Sequence, residues 1–183
     1  MDMDSFAKSP IGRVFIRVLG AGMESRLRYR FFGPLNILKG AGMLPGQSVL
    51  EIGCGTGFFS LPAAHLIGEQ GSLVSLDVVS ESVELVAKKV QAAGLKNVRV
   101  VKGNAMDTGL EPGSFDTVLL FGVIPAPMLP LDKLLPELQR VLKINGTLAV
   151  WPPVPGYLPR AILQSGLYLL SSKRDGVYNF NRC

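Results

Sequence analysis

The sequence predicts an α/β protein built on a doubly wound, mostly parallel sheet of seven strands with helices on both faces. Two observations support this prediction. Apolar strand-like runs alternate with helix-like runs along most of the chain, and the last two strand-like runs flank a tight turn. The alternation favours a parallel sheet, and the closing pair favours an antiparallel hairpin at one edge. With 183 residues and 48% apolar content, the chain can bury a core as one unit without disulfides or a metal.

The first predicted strand lies in the stretch VLEIGCGTGFFS at residues 49–60. Its apolar residues follow a Pro-Gly turn and are typical of a strand buried in a parallel sheet. Glu51 lies near the carboxyl end of this strand. A buried acid is costly unless it is paired, so a ligand with an ammonium group would be a suitable partner.

A glycine-rich turn follows the strand, and a helix is expected to begin after it, near Phe58. Glycines let the backbone turn tightly and approach a ligand where a Cβ would collide. The turn residues predicted to contact a ligand are Gly53, Cys54, Gly55 and Gly57.

The spacing of these glycines distinguishes two cofactor classes. The dinucleotide fingerprint is G-x-G-x-x-G, but here the third glycine comes one residue early, at Gly57. The stretch therefore resembles motif I of the class I, Rossmann-like S-adenosylmethionine-dependent methyltransferases, in which the turn holds the amino-acid end of the cofactor. A tight turn that binds no ligand is the alternative interpretation.

The second predicted strand covers residues 73–76 and ends in Asp77, followed by Val78. An acid at this distance from the glycine turn commonly accepts hydrogen bonds from ribose hydroxyls. Asp77 could instead start the next helix, although Ser80 is the better N-cap for the run that ends at Gly94. We expect Asp77, with Val78 beside it, to bind the ribose.

The third predicted strand, at residues 97–102, leads to Asn104, Ala105 and Met106. Methyltransferases usually carry an acid here that binds the adenine amino group. In this chain the position is Asn104, whose amide oxygen can still accept from that amino group. Met106 is an apolar cover for the adenine ring or, alternatively, a core residue.

The fourth predicted strand ends at Phe121 and Gly122, which would lie beside the end of the first strand. These two residues are predicted to form the floor under the methionine moiety, although core packing alone would also explain Phe121. A helix with an apolar stripe follows, and its end, RVLKING, resembles the family phrase RVLKPGG. The stripe comprises Leu134, Leu138, Val141 and Leu142.

The remaining segments complete the sheet. Asn145-Gly146 turns into a fifth strand, residues 159–165 suggest a short helix, and the closing hairpin turns at residues 174–176. The sequence thus divides into an appendage at residues 1–42 and a cofactor-binding domain at residues 43–183. The resemblance to the methyltransferase family covers approximately residues 43–183.

Charge is concentrated in the N-terminal part of the chain. The first 48 residues hold seven Lys/Arg and three Asp/Glu, which accounts for four of the five net positive charges. Apolar residues at helical spacing predict short amphipathic helices there. These helices could pack on the sheet, form a lid over the site, or contact anionic lipid or nucleic acid.

The resemblance implies methyl transfer by in-line displacement, with S-adenosylmethionine as the cofactor and S-adenosylhomocysteine as the product. We assign no catalytic residue, because alignment and desolvation of the acceptor can suffice. The apolar loops IPAPMLPL and WPPVPGYLP favour a small hydrophobic acceptor, as in the similar quinone-biosynthesis and phospholipid methyltransferases. Both loops could equally be rigid connectors, since proline fixes φ. A protein or RNA methyltransferase and a nicotinamide oxidoreductase remain alternatives.

Composition sets further expectations. The two cysteines have neither a disulfide nor a metal-ligand pattern, so no metal is predicted. No apolar run is long enough to span a bilayer, and the acidic start is a poor signal peptide. We therefore expect a cytoplasmic protein, with peripheral membrane contact through the basic segment as an open option. Nucleic-acid binding is not expected, and the oligomeric state stays open.

Overall fold

A computed structural model describes residues 33–124, 129–152, 154 and 156–183 of the chain. The helices are α1 (Pro34–Gly40), α2 (Ser60–Ile67), α3 (Ser80–Ala92), α4 (Leu131–Val141) and α5 (Arg160–Gln164). The strands are β1 (Ser48–Ile52), β2 (Ser72–Asp77), β3 (Val98–Lys102), β4 (Phe115–Phe121), β5 (Leu142–Trp151), β6 (Tyr168–Arg174) and β7 (Val177–Arg182).

The seven strands form one sheet in the order β3-β2-β1-β4-β5-β7-β6. The first five strands pair in parallel, whereas β7 pairs antiparallel with both β5 and β6. The strand order reverses between β1 and β4, so a crevice opens at the carboxyl ends of these two strands. The predicted Rossmann-like fold with a closing antiparallel hairpin is confirmed.

Successive strand residues point to opposite sides of the sheet, so the apolar strands present side chains on both faces. Helices cover both of these faces. On one face, α1 and α2 pack in a core cluster that includes Val49 and Leu119. On the other face, α4 and α5 pack in a larger cluster that includes Leu50 and Val118. Helix α3 contributes Val86 to a small third cluster beside the glycine turn. The central parallel strands β1, β2 and β4 are therefore buried on both sides, as their apolar runs indicate, whereas the edge strand β3 is only partly buried.

The closing hairpin is built on a two-residue turn. Asp175 and Gly176 both have positive φ, at 49° and 78°, which is the conformation that a type I′ turn requires. This turn matches the twist of the flanking strands. The predicted hairpin and the short helix before it, now α5, are both present.

Four boundary predictions are wrong by a few residues. Helix α2 begins at Ser60 rather than near Phe58, and the N-cap of α3 is Val79 rather than Ser80. Leu142 was expected on the helical stripe, but it has extended backbone (φ −70°, ψ 140°) and is the first residue of β5, opposite Phe115. Asn145, predicted to turn into the fifth strand, has φ 66° and lies within β5.

Residues 1–32 of the predicted N-terminal appendage lie outside the described residues. From residue 33 onward, α1 places Ile37 and Leu38 in the core cluster of β1. No helix among the described residues has the length and apolar character needed to cross a membrane.

Candidate cofactor-binding site

The predicted site residues all lie on segments that meet at the carboxyl edge of the parallel strands. Glu51 pairs in register with Ser75 of β2 and Leu119 of β4, so three strand ends meet around it. The glycine turn follows β1, Asp77 ends β2, and Phe121 ends β4. Ligands of open α/β sheets bind in the crevice outside such strand ends, where the order of the strands reverses.

The glycine turn has the backbone conformation that its sequence predicts. Gly53, Gly55 and Gly57 have φ of 75°, 52° and 81°, a region that other residues rarely adopt. A Cβ on Gly53 would lie 2.9 Å from the Val123 side chain, which follows β4. The turn is thus packed directly against the segment that leaves the fourth strand.

Backbone hydrogen bonds hold the turn to the second strand. The N–H of Gly53 donates to the carbonyl of Leu76 over 2.8 Å, and Gly57 N–H donates to Cys54 O over 2.8 Å. The N–H of Gly55 donates to Asp77 Oδ2 over 2.9 Å. The two segments that were assigned to the two ends of the cofactor are therefore joined directly.

Glu51 is buried, with 3% of its surface exposed. Its Oε2 accepts hydrogen bonds from the hydroxyls of Ser60 at 2.6 Å and Ser75 at 2.7 Å. Within the described part of the chain, no lysine or arginine forms an ion pair with it. Burial is the main cause that raises the pKa of Glu51, the nearby Asp77 adds to it, and the two serine hydroxyls oppose it. A ligand ammonium group would favour the ionised form.

Asp77 is also buried, with 8% of its surface exposed. Its Oδ1 accepts from Val79 N–H at 2.9 Å, while its Oδ2 accepts from Gly55 N–H. Burial raises the pKa of Asp77, and hydrogen bonds from the backbone and from the Cys54 thiol oppose the shift. Each carboxylate oxygen keeps further acceptor capacity, so a ribose diol could still bind here. Val78 beside it is exposed.

Cys54 and Thr56 alternate with the glycines of the turn. Cys54 is buried, and burial together with the charges of Glu51 and Asp77 raises the pKa of its thiol, so the thiol stays protonated. The hydroxyl of Thr56 is buried, and it has no hydrogen-bond partner among the residues that the structure describes. The Nζ of Lys89 on α3 donates to the carbonyl of Thr56 over 2.9 Å.

The loop after β3 carries the residues predicted to bind adenine. Asn104 is exposed, and its Oδ1 accepts from Met106 N–H at 3.0 Å in a local turn. Ala105 and Met106 are partly buried against the larger core cluster. The Asn104 oxygen has a second lone pair for an adenine amino group, so this contact stays a prediction.

Phe121 and Gly122 differ in how they meet the crevice. The Phe121 ring is buried and makes an edge contact with Phe59, with ring centroids 5.0 Å apart, so its side chain belongs to the core. Gly122 has φ 70° and is exposed, and no atom of the described residues lies within 4 Å of a Cβ built on it. Its N–H donates to Trp151 O over 2.8 Å. Gly122 thus borders open space, and any contact of Phe121 with a ligand would involve its backbone.

Several residues of this region were not predicted. The two serines that donate to Glu51 and the lysine that donates to the glycine turn lie on other elements. Only the alignment of β1 with β2 could have indicated Ser75. Two residues of α4 that bind the loop after β3 were also missed. These residues are Ser60, Ser75, Lys89, Glu137 and Arg140.

A family described as "Methyltransferase domain" matches residues 44–169, about two thirds of the chain. The chain belongs to this methyltransferase family. The resemblance that motif I predicted is confirmed. Membership in this family also disfavours the alternative of a nicotinamide oxidoreductase.

Similar proteins agree with this family. A demethylmenaquinone methyltransferase from Bacillus cereus is 36% identical over 103 residues, which is 56% of this chain and 43% of that protein. One from Listeria welshimeri is 36% identical over 117 residues, 61% of this chain and 49% of that protein. The chain spans about half the length of these curated relatives.

A solved structure extends the similarity to nearly the whole chain. A "SAM dependent methyltransferase" from Aquifex aeolicus has a TM-score of 0.74 and 26% sequence identity, and the match covers 92% of this chain and 96% of that one. The cofactor that the family indicates is S-adenosylmethionine. The residues at the carboxyl edge of the sheet fit this group, because a buried acid lies near the end of β1, a second buried acid ends β2, and the glycine that follows β4 is exposed.

Proposed function

We propose that the methyltransferase transfers a methyl group from S-adenosylmethionine to a small hydrophobic acceptor at the crevice between β1 and β4. The observation that carries this proposal is the direct link between the glycine turn and the second strand, in which Gly55 N–H donates to Asp77 Oδ2. This bond fixes the spacing between the predicted amino-acid and ribose subsites. When bound, the cofactor supplies an activated methyl group on a sulfonium.

The residues of the chain act by binding and orientation. Glu51 and the glycine turn would hold the amino-acid end, and Asp77 the ribose. The turn residues Gly53, Cys54, Gly55 and Gly57 would surround the methionine moiety, while Val78, Asn104, Ala105 and Met106 would enclose the adenosine. Phe121 and Gly122 would close the floor through their backbone. In-line transfer needs an aligned and desolvated acceptor and no obligatory base.

A hydrophobic acceptor is supported by the segments that leave β4 and β5. Because Gly122 N–H donates to Trp151 O, the residues after both strands leave the sheet side by side. The partly buried Val123 follows β4, and the exposed Val154 and Leu158 follow β5. Apolar side chains at the mouth of a site are typical of pockets for apolar ligands. The Bacillus and Listeria relatives are named for a demethylated menaquinone, which belongs to this class.

The test combines binding and transfer on the same preparation. Calorimetry with S-adenosylhomocysteine measures the cofactor site. Methyl-labelled S-adenosylmethionine is then incubated with a prenylated demethylnaphthoquinone or with a cell extract, followed by partition between organic and aqueous phases. We expect label in the organic phase, and less of it with the Asp77→Ala variant when both are assayed at a cofactor concentration below the wild-type Kd.

Two outcomes would contradict the proposal at different levels. Label only in polar metabolites, protein or RNA would contradict the hydrophobic acceptor and leave methyl transfer intact. Absence of S-adenosylhomocysteine formation with every acceptor class, despite measurable binding, would contradict the transferase activity. Residues 1–32 of the appendage as a lid or membrane contact remain part of the proposal, and their deletion should alter acceptor turnover or liposome binding while the domain stays folded.

A further inference from the structure

The connection between β3 and β4 contains no helix. Residues 103–114 leave the edge strand and must pass the positions of β2 and β1 before the chain enters β4. This crossing loop carries Asn104, Ala105 and Met106. Its backbone groups cannot pair within a helix, so other parts of the chain must satisfy and hold them.

Glu137 of α4 binds the middle of the crossing loop. Its Oε1 accepts from the N–H of Thr108 at 2.9 Å and from the Thr108 hydroxyl at 2.6 Å. The side chain of Glu137 is only 11% exposed. Hydrogen bonds from Arg140, and secondarily from Thr108, lower the pKa of Glu137 to about 2, so it is ionised at neutral pH.

Arg140 binds both Glu137 and the loop. Its Nε lies 2.7 Å from Glu137 Oε2 and its Nη2 lies 2.8 Å from Oε1, a bidentate arrangement that fixes the guanidinium plane. The same Nη2 donates to the carbonyl of Leu110 over 2.8 Å. The backbone carbonyl of Arg140 accepts from Gly113 N–H at 2.9 Å. Two residues of one helix thus hold the loop at three successive points, two through their side chains and one through a backbone carbonyl.

The start of the loop is held by the site itself. The N–H of Gly103 donates to the backbone carbonyl of Asp77 over 3.0 Å. Between this point and Thr108, residues 104–107 form a single turn closed by the Asp107 N–H to Asn104 O bond at 3.0 Å. The position of Asn104 and Met106 at the crevice therefore depends on two anchors, Asp77 on one side and the Glu137–Arg140 pair on the other.

We propose that Glu137 and Arg140 are positioning residues that hold the crossing loop where Asn104 and Met106 can recognise adenine. The pair contacts no cofactor atom and acts through Thr108 and Leu110. This inference rests on the proposed function. It predicts that loss of the pair reduces discrimination between adenine and other bases, whereas an ordinary structural ion pair would affect stability alone.

The test compares S-adenosylhomocysteine with S-inosylhomocysteine, which lacks the 6-amino group of adenine, by calorimetry. Arg140→Met removes the guanidinium but keeps an apolar stem. We expect it to weaken binding of S-adenosylhomocysteine by about tenfold, the effect of one charge-assisted hydrogen bond, and to weaken the inosyl ligand less. Glu137→Gln keeps an acceptor for Thr108 and should give an intermediate effect.

Lys143→Met is the matched control. Lys143 forms the ion pair with Asp116 at 2.8 Å at the opposite, amino edge of the sheet, with side-chain exposures of 44% and 30%. Loss of this ion pair should leave the ratio of the S-adenosylhomocysteine affinity to the S-inosylhomocysteine affinity at the wild-type value. If Arg140→Met fails to fold, Thr108→Val removes the 2.6 Å hydroxyl contact to Glu137 together with the acceptor of Leu110 N–H at 3.2 Å and of Arg140 Nη2 at 3.5 Å, and it should lower the same ratio.

Each outcome has a defined meaning. A reduced ratio in Arg140→Met or Thr108→Val, with an unchanged ratio in Lys143→Met, supports the positioning role. An unchanged ratio in the folded variants overturns this inference alone. If the wild-type protein binds neither ligand, the proposed function fails, and this inference fails with it.

Discussion

At the scale of single residues, Glu51 is the side chain whose burial opposes folding most clearly. Its carboxylate lies among two serine hydroxyls and the start of α2, and burial raises its pKa. A buried carboxylate without a cation costs free energy that neutral hydrogen bonds recover only in part. The amide of glutamine could accept from the same two hydroxyls without that cost.

We therefore predict that Glu51→Gln stabilises the cofactor-free protein and weakens cofactor binding. The free energy of unfolding should rise by about 1 kcal/mol, which corresponds to roughly 2–4 °C in Tm for a chain of this size. Binding of S-adenosylhomocysteine should weaken because an amide cannot pair with its ammonium group. Thermal denaturation and calorimetry measure both effects. A lower Tm with unchanged affinity would contradict both halves of this prediction.

Asp77 differs from Glu51 because its carboxylate joins the glycine turn to the second strand. Asp77→Ala removes the acceptors of Gly55 N–H and Val79 N–H as well as the predicted ribose contact. We expect cofactor binding to weaken by at least about 1 kcal/mol, as for lost charge-assisted hydrogen bonds. Asp77→Asn, which keeps one acceptor oxygen, should lose less. An unchanged calorimetric affinity in the alanine variant would remove Asp77 from the site.

At the scale of elements, the glycine turn is sensitive to an added side chain. Gly57 has φ 81°, and a Cβ there would lie 3.3 Å from the Val86 side chain on α3. Gly94, at the end of the same helix, has φ 66° with nothing within 4 Å of a built Cβ. The two positions share a backbone conformation but differ in their surroundings and in their distance from the site.

Gly57→Ala and Gly94→Ala therefore form a matched pair. Both should lose about 1–2 kcal/mol of stability, since each forces alanine into the left-handed region. Only Gly57→Ala should also weaken binding of S-adenosylhomocysteine, because its turn must shift away from Val86. Urea denaturation and calorimetry on both variants test this difference. Equal losses of affinity in the two variants would show that the effect is not local to the turn.

The elements themselves were predictable because their signals are local. Strands, helices and the closing turn are marked by periodicity, glycines and short spacings. Boundaries were less certain for a physical reason: Leu142 lies four residues after Leu138 and fits a helical stripe, yet it begins a strand with equal burial. Ser80 was expected to cap α3, but Asp77 already accepts the N–H of the preceding residue, Val79.

The candidate site likewise contains residues that the sequence predicts and contacts that it does not predict. Residues in the glycine motif and at strand ends could be predicted from contiguous sequence. The contacts that hold those residues join positions far apart in the chain, such as Lys89 with Thr56 and Glu137 with Thr108. No short-range pattern encodes these pairs, since each depends on which helix the sheet topology brings beside the loop. They became visible only with the fold.

At the scale of the whole molecule, two groups of acids respond to pH in opposite senses. Glu51 and Asp77 have raised pKa values, so the native state binds more protons than the unfolded state above the ordinary carboxyl range. Their contribution makes the free energy of unfolding fall as pH rises through that window. Glu137, with a pKa lowered to about 2, contributes stability at higher pH that is lost as pH falls below its ordinary value of 4.5.

The cofactor should reverse the first of these trends. An ammonium group beside Glu51 favours its ionised form, so binding releases a proton where the free protein holds one, and affinity rises with pH above about 4.5, the ordinary pKa of that residue. Calorimetry in buffers of different ionisation enthalpy measures the proton released. Glu51→Gln is the control and should flatten the pH dependence. An affinity that falls as pH rises, or an unchanged slope in Glu51→Gln, would show that Glu51 does not meet the ammonium group.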